Sequence, residues 1–272
     1  MNKKKNKKFL EKIADDELDI YLEKKKISDI KFYNECYQYI SPKEKEIIEA
    51  KFTKPRSKAQ KKYVSILNDS SQKIIIVTGP AGSGKTLLAT EIGVKHFLNG
   101  LCEKLIFVRP TVTTDEDIGF LPGKLEDKLA PFIRPIYDVL YNFISPQEVT
   151  QLLEEKIIEI APLAYMRGRT FKNCWIVADE MQNSTINQMK MMLTRLGEGT
   201  KLVITGDLEQ NDKHNEINGL EDFLDRFKGR RSESISSVEF DTCDIERSEV
   251  IKEILNIYKS EIIPQNYLED KN

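Results

Sequence analysis

Residues 73–86 read Lys73-Ile74-Ile75-Ile76-Val77-Thr78-Gly79-Pro80-Ala81-Gly82-Ser83-Gly84-Lys85-Thr86. A short, mostly β-branched apolar run predicts a buried strand. A Gly-rich turn follows it, and a helical pattern opens at Lys85. That is the strand–loop–helix setting in which G-x-x-x-x-G-K-[ST] acts as a phosphate loop. The glycines let backbone N–H groups converge on phosphate oxygens, and the helix N-terminus adds positive potential. Gly79, Pro80, Ala81, Gly82, Ser83, Gly84, Lys85 and Thr86 are therefore the expected ATP contacts. Lys85 is expected to neutralise the β- and γ-phosphates, and the Thr86 hydroxyl to ligate Mg²⁺. A ligand-free Gly-rich turn is the competing reading, and the complete motif in its setting outweighs it.

Outward from this loop, apolar runs of strand length recur at 104–109, 157–160, 174–178, 201–205 and 235–240. Helical patterns lie between most of them, at 85–98, 125–143, 185–196, 216–227 and 246–259. Strand alternating with helix predicts an α/β fold, a doubly wound, mainly parallel sheet with helices on both faces. The first 68 residues read as helices instead. Ser41-Pro42-Lys43-Glu44 combines a cap, a first-turn proline and a capping-box acid, and Ser57 can cap a second helix through Leu67. The expected organisation is a helical, basic segment over 1–68, a P-loop core over 69–260 and a tail over 261–272.

The run Trp175-Ile176-Val177-Ala178-Asp179-Glu180 ends in two carboxylates. A strand that brings Asp179 to the carboxyl edge of the sheet sets it near the phosphate loop. Asp179 is then a Mg²⁺ holder, directly or through water, and Glu180 can polarise the attacking water. Alone, this would be an ordinary acidic strand end; the phosphate loop gives it meaning. The strand from Lys201 to Thr205 runs into Gly206-Asp207-Leu208-Glu209-Gln210. Gln210 is the candidate sensor of the γ-phosphate, against a plain Gly-Asp turn. No N-K-x-D guanine signature occurs.

Composition narrows the classes further. The chain of 272 residues is 40% hydrophobic and 32% charged, enough to fill and cover a core. No apolar run approaches the ~18 residues of a membrane helix. Four scattered cysteines without C-x-x-C and only two histidines speak against a zinc site or imidazole chemistry and suit a reducing cytoplasm. Residues 1–62 carry 18 Lys+Arg against 11 Asp+Glu, and the rest 24 against 33. A basic arm on an acidic body suits phosphate contact, or is simply a solvated arm.

Several ordered blocks carry a closer resemblance. Besides Gly79–Thr86 they are Arg109-Pro110, Gly119-Phe120-Leu121-Pro122-Gly123-Lys124, Arg134-Pro135, Ile158 through Thr170, Asp179-Glu180-Met181-Gln182-Asn183, Gln188-Met189-Lys190, Leu193 through Gly197, and Gly206-Asp207 with Gln210. Over about Ser57 to Lys259 the chain resembles the PhoH-like family of P-loop ATPases, whose core is similar to the first motor domain of superfamily-1 helicases. Ser83 stands where that family usually has Thr. At Asp244-Ile245-Glu246-Arg247-Ser248 the Arg of an Arg-His pair is kept and the His is not.

The resemblance implies Mg²⁺-dependent ATP hydrolysis, a hexameric ring and RNA or single-stranded nucleic acid as partner. It makes Arg247 the candidate finger on a neighbouring copy's γ-phosphate; a surface ion pair with Glu246 or Glu249 competes. It makes Gln60 the candidate reader of the adenine edge, because an amide both donates and accepts. Gln182 is placed to relay the γ-phosphate state. Arg109, Arg134, Arg167, Arg169 and Arg195 are candidates for nucleic-acid phosphates or for acids of a neighbouring subunit. An ATP-driven switch on a protein partner, without translocation, is the alternative function.

Overall fold

The computed structural model describes residues 42–110, 134–210, 218–245 and 250. The lysine arm, the block Gly119–Lys124, Arg247, the pattern at 246–259 (apart from Val250, which is helical) and the tail lie outside the described residues.

Strand β1 is Ile74–Thr78 and carries the phosphate loop at its end. Its neighbours in the sheet are β5, Lys201–Gly206, and β6, Ile235–Glu239. On the far side of β5 comes β4, Cys174–Ala178, followed by β2, Lys104–Arg109, and β3, Ile158–Pro162. The order is β3-β2-β4-β5-β1-β6, and every pairing is parallel. Ladders of this kind put the ends of all six strands, and the loops that leave them, on one edge. The α/β doubly wound architecture agrees with the sequence reading.

Alternate residues sort to opposite faces, as a pleat requires. Ile75, Val77, Leu105, Phe107, Trp175, Val177 and Val203 join one buried cluster. Ile76, Ile106, Val108, Ile176, Ala178, Leu202 and Ile204 join the other. Helix α1, Pro42–Lys51, adds no described side chain to either cluster. The first face is covered by α2, Lys58–Asn68, α3, Lys85–Leu98, a helical stretch α4 at 134–141, and α5, Pro146–Glu154. The second is covered by α6, Ile186–Leu193, and α7, Gly219–Phe227. Helix α5 was not among the sequence expectations, although Ser145 and Glu148 form a capping box at its start. Of the helix expected at 125–143, residues 125–133 lie outside the described residues, and the described part is helical over 134–141. The other described elements differ from the expected ranges by a few residues at their ends, where helices fray.

The boundary expected at residue 68 falls inside the core. Tyr63 and Leu67 of α2 are fully buried in the first cluster. Further back, Thr53 donates its backbone N–H and hydroxyl to Glu91 of α3 at 2.8 and 2.9 Å. Phe52 stacks on Phe143, and Lys95 pairs with Glu49 at 2.7 Å. The described part of the N-terminal segment is thus integral to the P-loop body.

Trp175 is the largest fully buried side chain, and its indole N–H donates to the Ala89 carbonyl at 3.1 Å. Helix α3 crosses it at Gly93, where a Cβ would lie 2.5 Å from the ring. His96 lies against the same indole at 4.6 Å between centroids. Burial, with Lys201 and Lys95 nearby, pushes the His96 imidazole down from 6.5 to about 4. A depressed folded value penalises protonation. Stability is therefore whole above pH 6.5, falls as pH drops from there towards 4, and levels off below. We predict that His96→Gln shrinks the loss of stability between about pH 7 and pH 5, read from urea midpoints at the two values.

Candidate functional site

The phosphate loop is held by left-handed glycines. Gly79, Gly82 and Gly84 have φ of 137°, 83° and 89°. At Gly79 the crowding is also steric, since a Cβ would meet the Phe240 carbonyl at 2.4 Å. Gly84 sits at the N-cap of α3 and makes no side-chain cap, so the first amides of the helix have no side-chain acceptor from the cap.

The loop is braced from below by α2. Gln60 is 2% exposed. Its Nε2 donates to the Ser83 carbonyl at 3.2 Å, while Oε1 accepts the backbone N–H groups of Arg56 and Ser57 at 2.8 and 3.2 Å. The Tyr63 hydroxyl donates to the Lys85 carbonyl at 3.3 Å. The amide that the sequence made an adenine reader is thus engaged as a prop of the loop.

Lys85 Nζ donates to the Gly79 and Pro80 carbonyls at 2.6 and 2.9 Å. Burial pulls its ammonium below the ordinary lysine range, while Asp207, Glu180 and Asp179 oppose that pull. Thr86 Oγ1 donates to Asp179 Oδ1 at 2.7 Å, and the Thr205 hydroxyl donates to the same oxygen. Thr205 is fully buried at the end of β5 and was not singled out in the sequence.

Glu180 has φ 53° and ψ 40°, a left-handed conformation that costs a non-glycine residue on the order of 1–3 kcal/mol. It turns the chain out of β4 and points Glu180 at two partners. Gln182 Nε2 donates to its Oε2, and Arg109 lies 3.7 Å from its Oε1. Gln182 is 1% exposed and also accepts the Asp207 backbone N–H at 3.1 Å, so it bridges the ends of β4 and β5. Lys85, Thr86, Asp179, Glu180 and Gln210 line one cleft of about 240 Å³ together with the loop residues Ala81, Gly82 and Gly84.

A family model described as PhoH-like protein matches residues 52–259. The chain belongs to the PhoH-like family. A PhoH-like protein of Synechocystis is 41% identical over 201 residues, which is 74% of this chain and 60% of that one. A PhoH-like protein of Bacillus subtilis is 40% identical over 229 residues, covering 83% of this chain and 70% of its own. The match thus leaves a good third of the Synechocystis relative uncovered. Among solved structures, the match to the DNA-bound DUF1998 helicase MrfA covers 71% of this chain and 29% of that one, at 13% identity and a TM-score of 0.43.

In this PhoH-like chain the candidate arginines have separate fates. Arg169 is bound to Glu159, with Nη2 at 3.0 and 2.8 Å from the two carboxylate oxygens, and packs over Phe171. Arg195 donates to the Met191 and Arg169 carbonyls at 3.2 and 3.5 Å. Arg109 faces Glu180. Arg134 and Arg167 are exposed, and so is Tyr165, two residues before Arg167. No helix among the described residues is long and apolar enough to cross a membrane.

Truncating the prop should be felt in the fold. Gln60→Ala would leave the Arg56 and Ser57 amides and the Ser83 carbonyl without this partner. We predict a loss of about 1–3 kcal/mol by urea unfolding and faster amide exchange in 79–86.

Proposed function

We propose that this PhoH-like chain hydrolyses ATP to ADP and phosphate with Mg²⁺, coupled to RNA or another single-stranded nucleic acid, in a ring of copies in the cytoplasm. The observation that carries the reading is one cleft lined by Lys85, Thr86, Asp179, Glu180 and Gln210 at the carboxyl edge of the sheet. The Thr86 hydroxyl and the Asp179 carboxylate are adjacent hard oxygen donors, 2.7 Å apart, and fit a Mg²⁺ site. When bound, Mg²⁺ offsets charge on the β- and γ-phosphate oxygens.

The protein's own part follows from its groups. Lys85 exchanges its loop carbonyls for phosphate oxygens, and the loop amides with Gly84 at the helix start take the rest. Glu180 accepts the proton of the attacking water. Gln210, exposed at the cleft, donates to the γ-phosphate. Gln182 passes the state of Asp207 and the β5 end to Glu180, since it bonds both. Gln60 reads adenine in this scheme only by releasing part of its present set of bonds. Exposed Arg134 and Arg167, with Tyr165 as a stacking platform, favour a single-stranded nucleic acid, because phosphates need cations and unpaired bases need a flat ring. An adjacent copy would close the site with Arg247, an effect on the scale of ~10³–10⁵ in rate for such arginines.

Lys85→Ala should weaken ATP binding at least tenfold, whereas Glu180→Gln should bind ATP and lose turnover; both are read by nucleotide titration and phosphate release. Normal turnover by the Gln variant would take Glu180 out of the mechanism. Single-stranded RNA should raise the ATPase rate; no response to RNA or single-stranded DNA favours the protein-partner switch, which the acidic body also allows. Mixing inactive Arg247→Ala and Glu180→Gln chains should restore some activity if the arginine acts across subunits. A monomer with full activity at all concentrations would remove the ring.

A further inference from the structure

Ala81 lies in the middle of the phosphate loop, and its backbone N–H is one of the donors available to a phosphate oxygen. In the structure it donates to Asp207 Oδ2 at 3.1 Å. Asp207 arrives from the end of β5 and is 6% exposed. Its other oxygen accepts the Glu209 N–H at 3.1 Å, and its own N–H donates to Gln182 Oε1 at 3.1 Å. Gln182 in turn donates to Glu180. Ala81, Asp207, Gln182 and Glu180 thus form one unbroken chain of hydrogen bonds from the loop to the end of β4. Gly206 permits the close approach, since a Cβ there would lie 2.4 Å from Leu220 Cδ2 and 3.0 Å from Gln182 Oε1.

A turn cap explains only half of these contacts. Capping the short turn Leu208–Gln210 uses Oδ1 alone. The second oxygen lies against a donor of the phosphate loop. A carboxylate and a phosphate are both anions, they repel, and one N–H cannot serve both at full strength. Asp207 also stands among the three carboxylates around Lys85.

We propose that Asp207 is a positioning residue that competes with nucleotide phosphates for the Ala81 N–H, so that filling the loop displaces its carboxylate and shifts Gln182 and Glu180 through the bonds they share. The proposal rests on the ATP-site reading given above. Asp207 then holds down affinity for the product and couples loop occupancy to the orientation of Glu180. A purely structural Asp207 would make every variant bind worse; a competitor makes its neutral variant bind better.

The test uses the full chain and ADP. Asp207→Asn keeps an oxygen for the Glu209 cap and loses the charge. It should bind ADP about tenfold or more tightly than the unaltered chain, the scale of one relieved like-charge contact in a partly open cleft. Asp207→Ser should also gain affinity. Turnover of ATP by either should fall rather than rise, because ADP leaves more slowly. In the unaltered chain, hydrogen exchange on adding ADP should slow in 79–86 and quicken in 207–210 as the Glu209 N–H loses its acceptor. That measurement needs no variant to fold. Equal or weaker ADP binding by a well-folded Asp207→Asn, or slowing of both segments together, overturns the proposal while leaving the ATP site intact. An unaltered chain that binds no ADP overturns the ATP-site reading and this inference with it.

Discussion

Asp179 Oδ1 receives two hydroxyls, from Thr86 at the start of α3 and from Thr205 at the end of β5. The arrangement of the cleft depends on that shared acceptor. In the sheet, β5 separates β1 from β4, so the phosphate loop and the acidic strand end are not neighbours by backbone pairing. The side chain of Asp179 makes the connection that the ladder does not. A carboxylate drawn partly into the sheet edge must have its lone pairs met, and two threonines from two elements meet them. The Asp179 N–H meanwhile donates to the Val108 carbonyl at 2.8 Å, which ties the residue to β2 as well. One residue therefore fixes the relative positions of four elements.

The loop itself is built from conformations that glycine tolerates, and such a segment has little stiffness of its own. Its rigidity is borrowed. Gln60 and Tyr63 hold two of its carbonyls from the N-terminal side of the chain, and Phe240 closes on Gly79 from the C-terminal side. The Phe240 N–H also donates to the Thr78 carbonyl at 2.8 Å. Helix α2 thus belongs to the site as much as to the core. This is the reason a helical segment that composition separates from the α/β body folds as part of it.

Charge in the cleft is finely opposed. Lys85 has three carboxylates about it, and Glu180 shares its own charge with Arg109 and the Gln182 amide. Both residues of the Arg109–Glu180 pair are about one-third exposed, so that contact contributes little stability and is easily broken. The buried Gln182 bridge is different in kind, because an unmatched amide at 1% exposure would be costly. Together they give the β4 end one soft contact and one firm contact, and the firm one leads to β5.

Local sequence determined the strands, the phosphate loop and the acidic strand end, because each depends on residues adjacent in the chain: apolar runs, glycines at fixed offsets, a carboxylate at a strand end. Helix α5 was legible too, through Ser145 and Glu148, but its weakly apolar stretch hid it behind the stronger patterns around it. Tertiary structure alone decided the rest. The insertion of β5 between β1 and β4 follows from how crossovers wind, which no window of sequence records. The partners of long polar side chains were equally hidden. Gln60 turned to Ser83, Arg169 to Glu159, and Asp207 to Ala81, pairs separated by 23, 10 and 126 positions. A side chain's type fixes what it can donate or accept, but only packing brings a donor within 3 Å or so of an acceptor. For that reason the chemistry of this cleft could be read from its residues, while the connections between them could not.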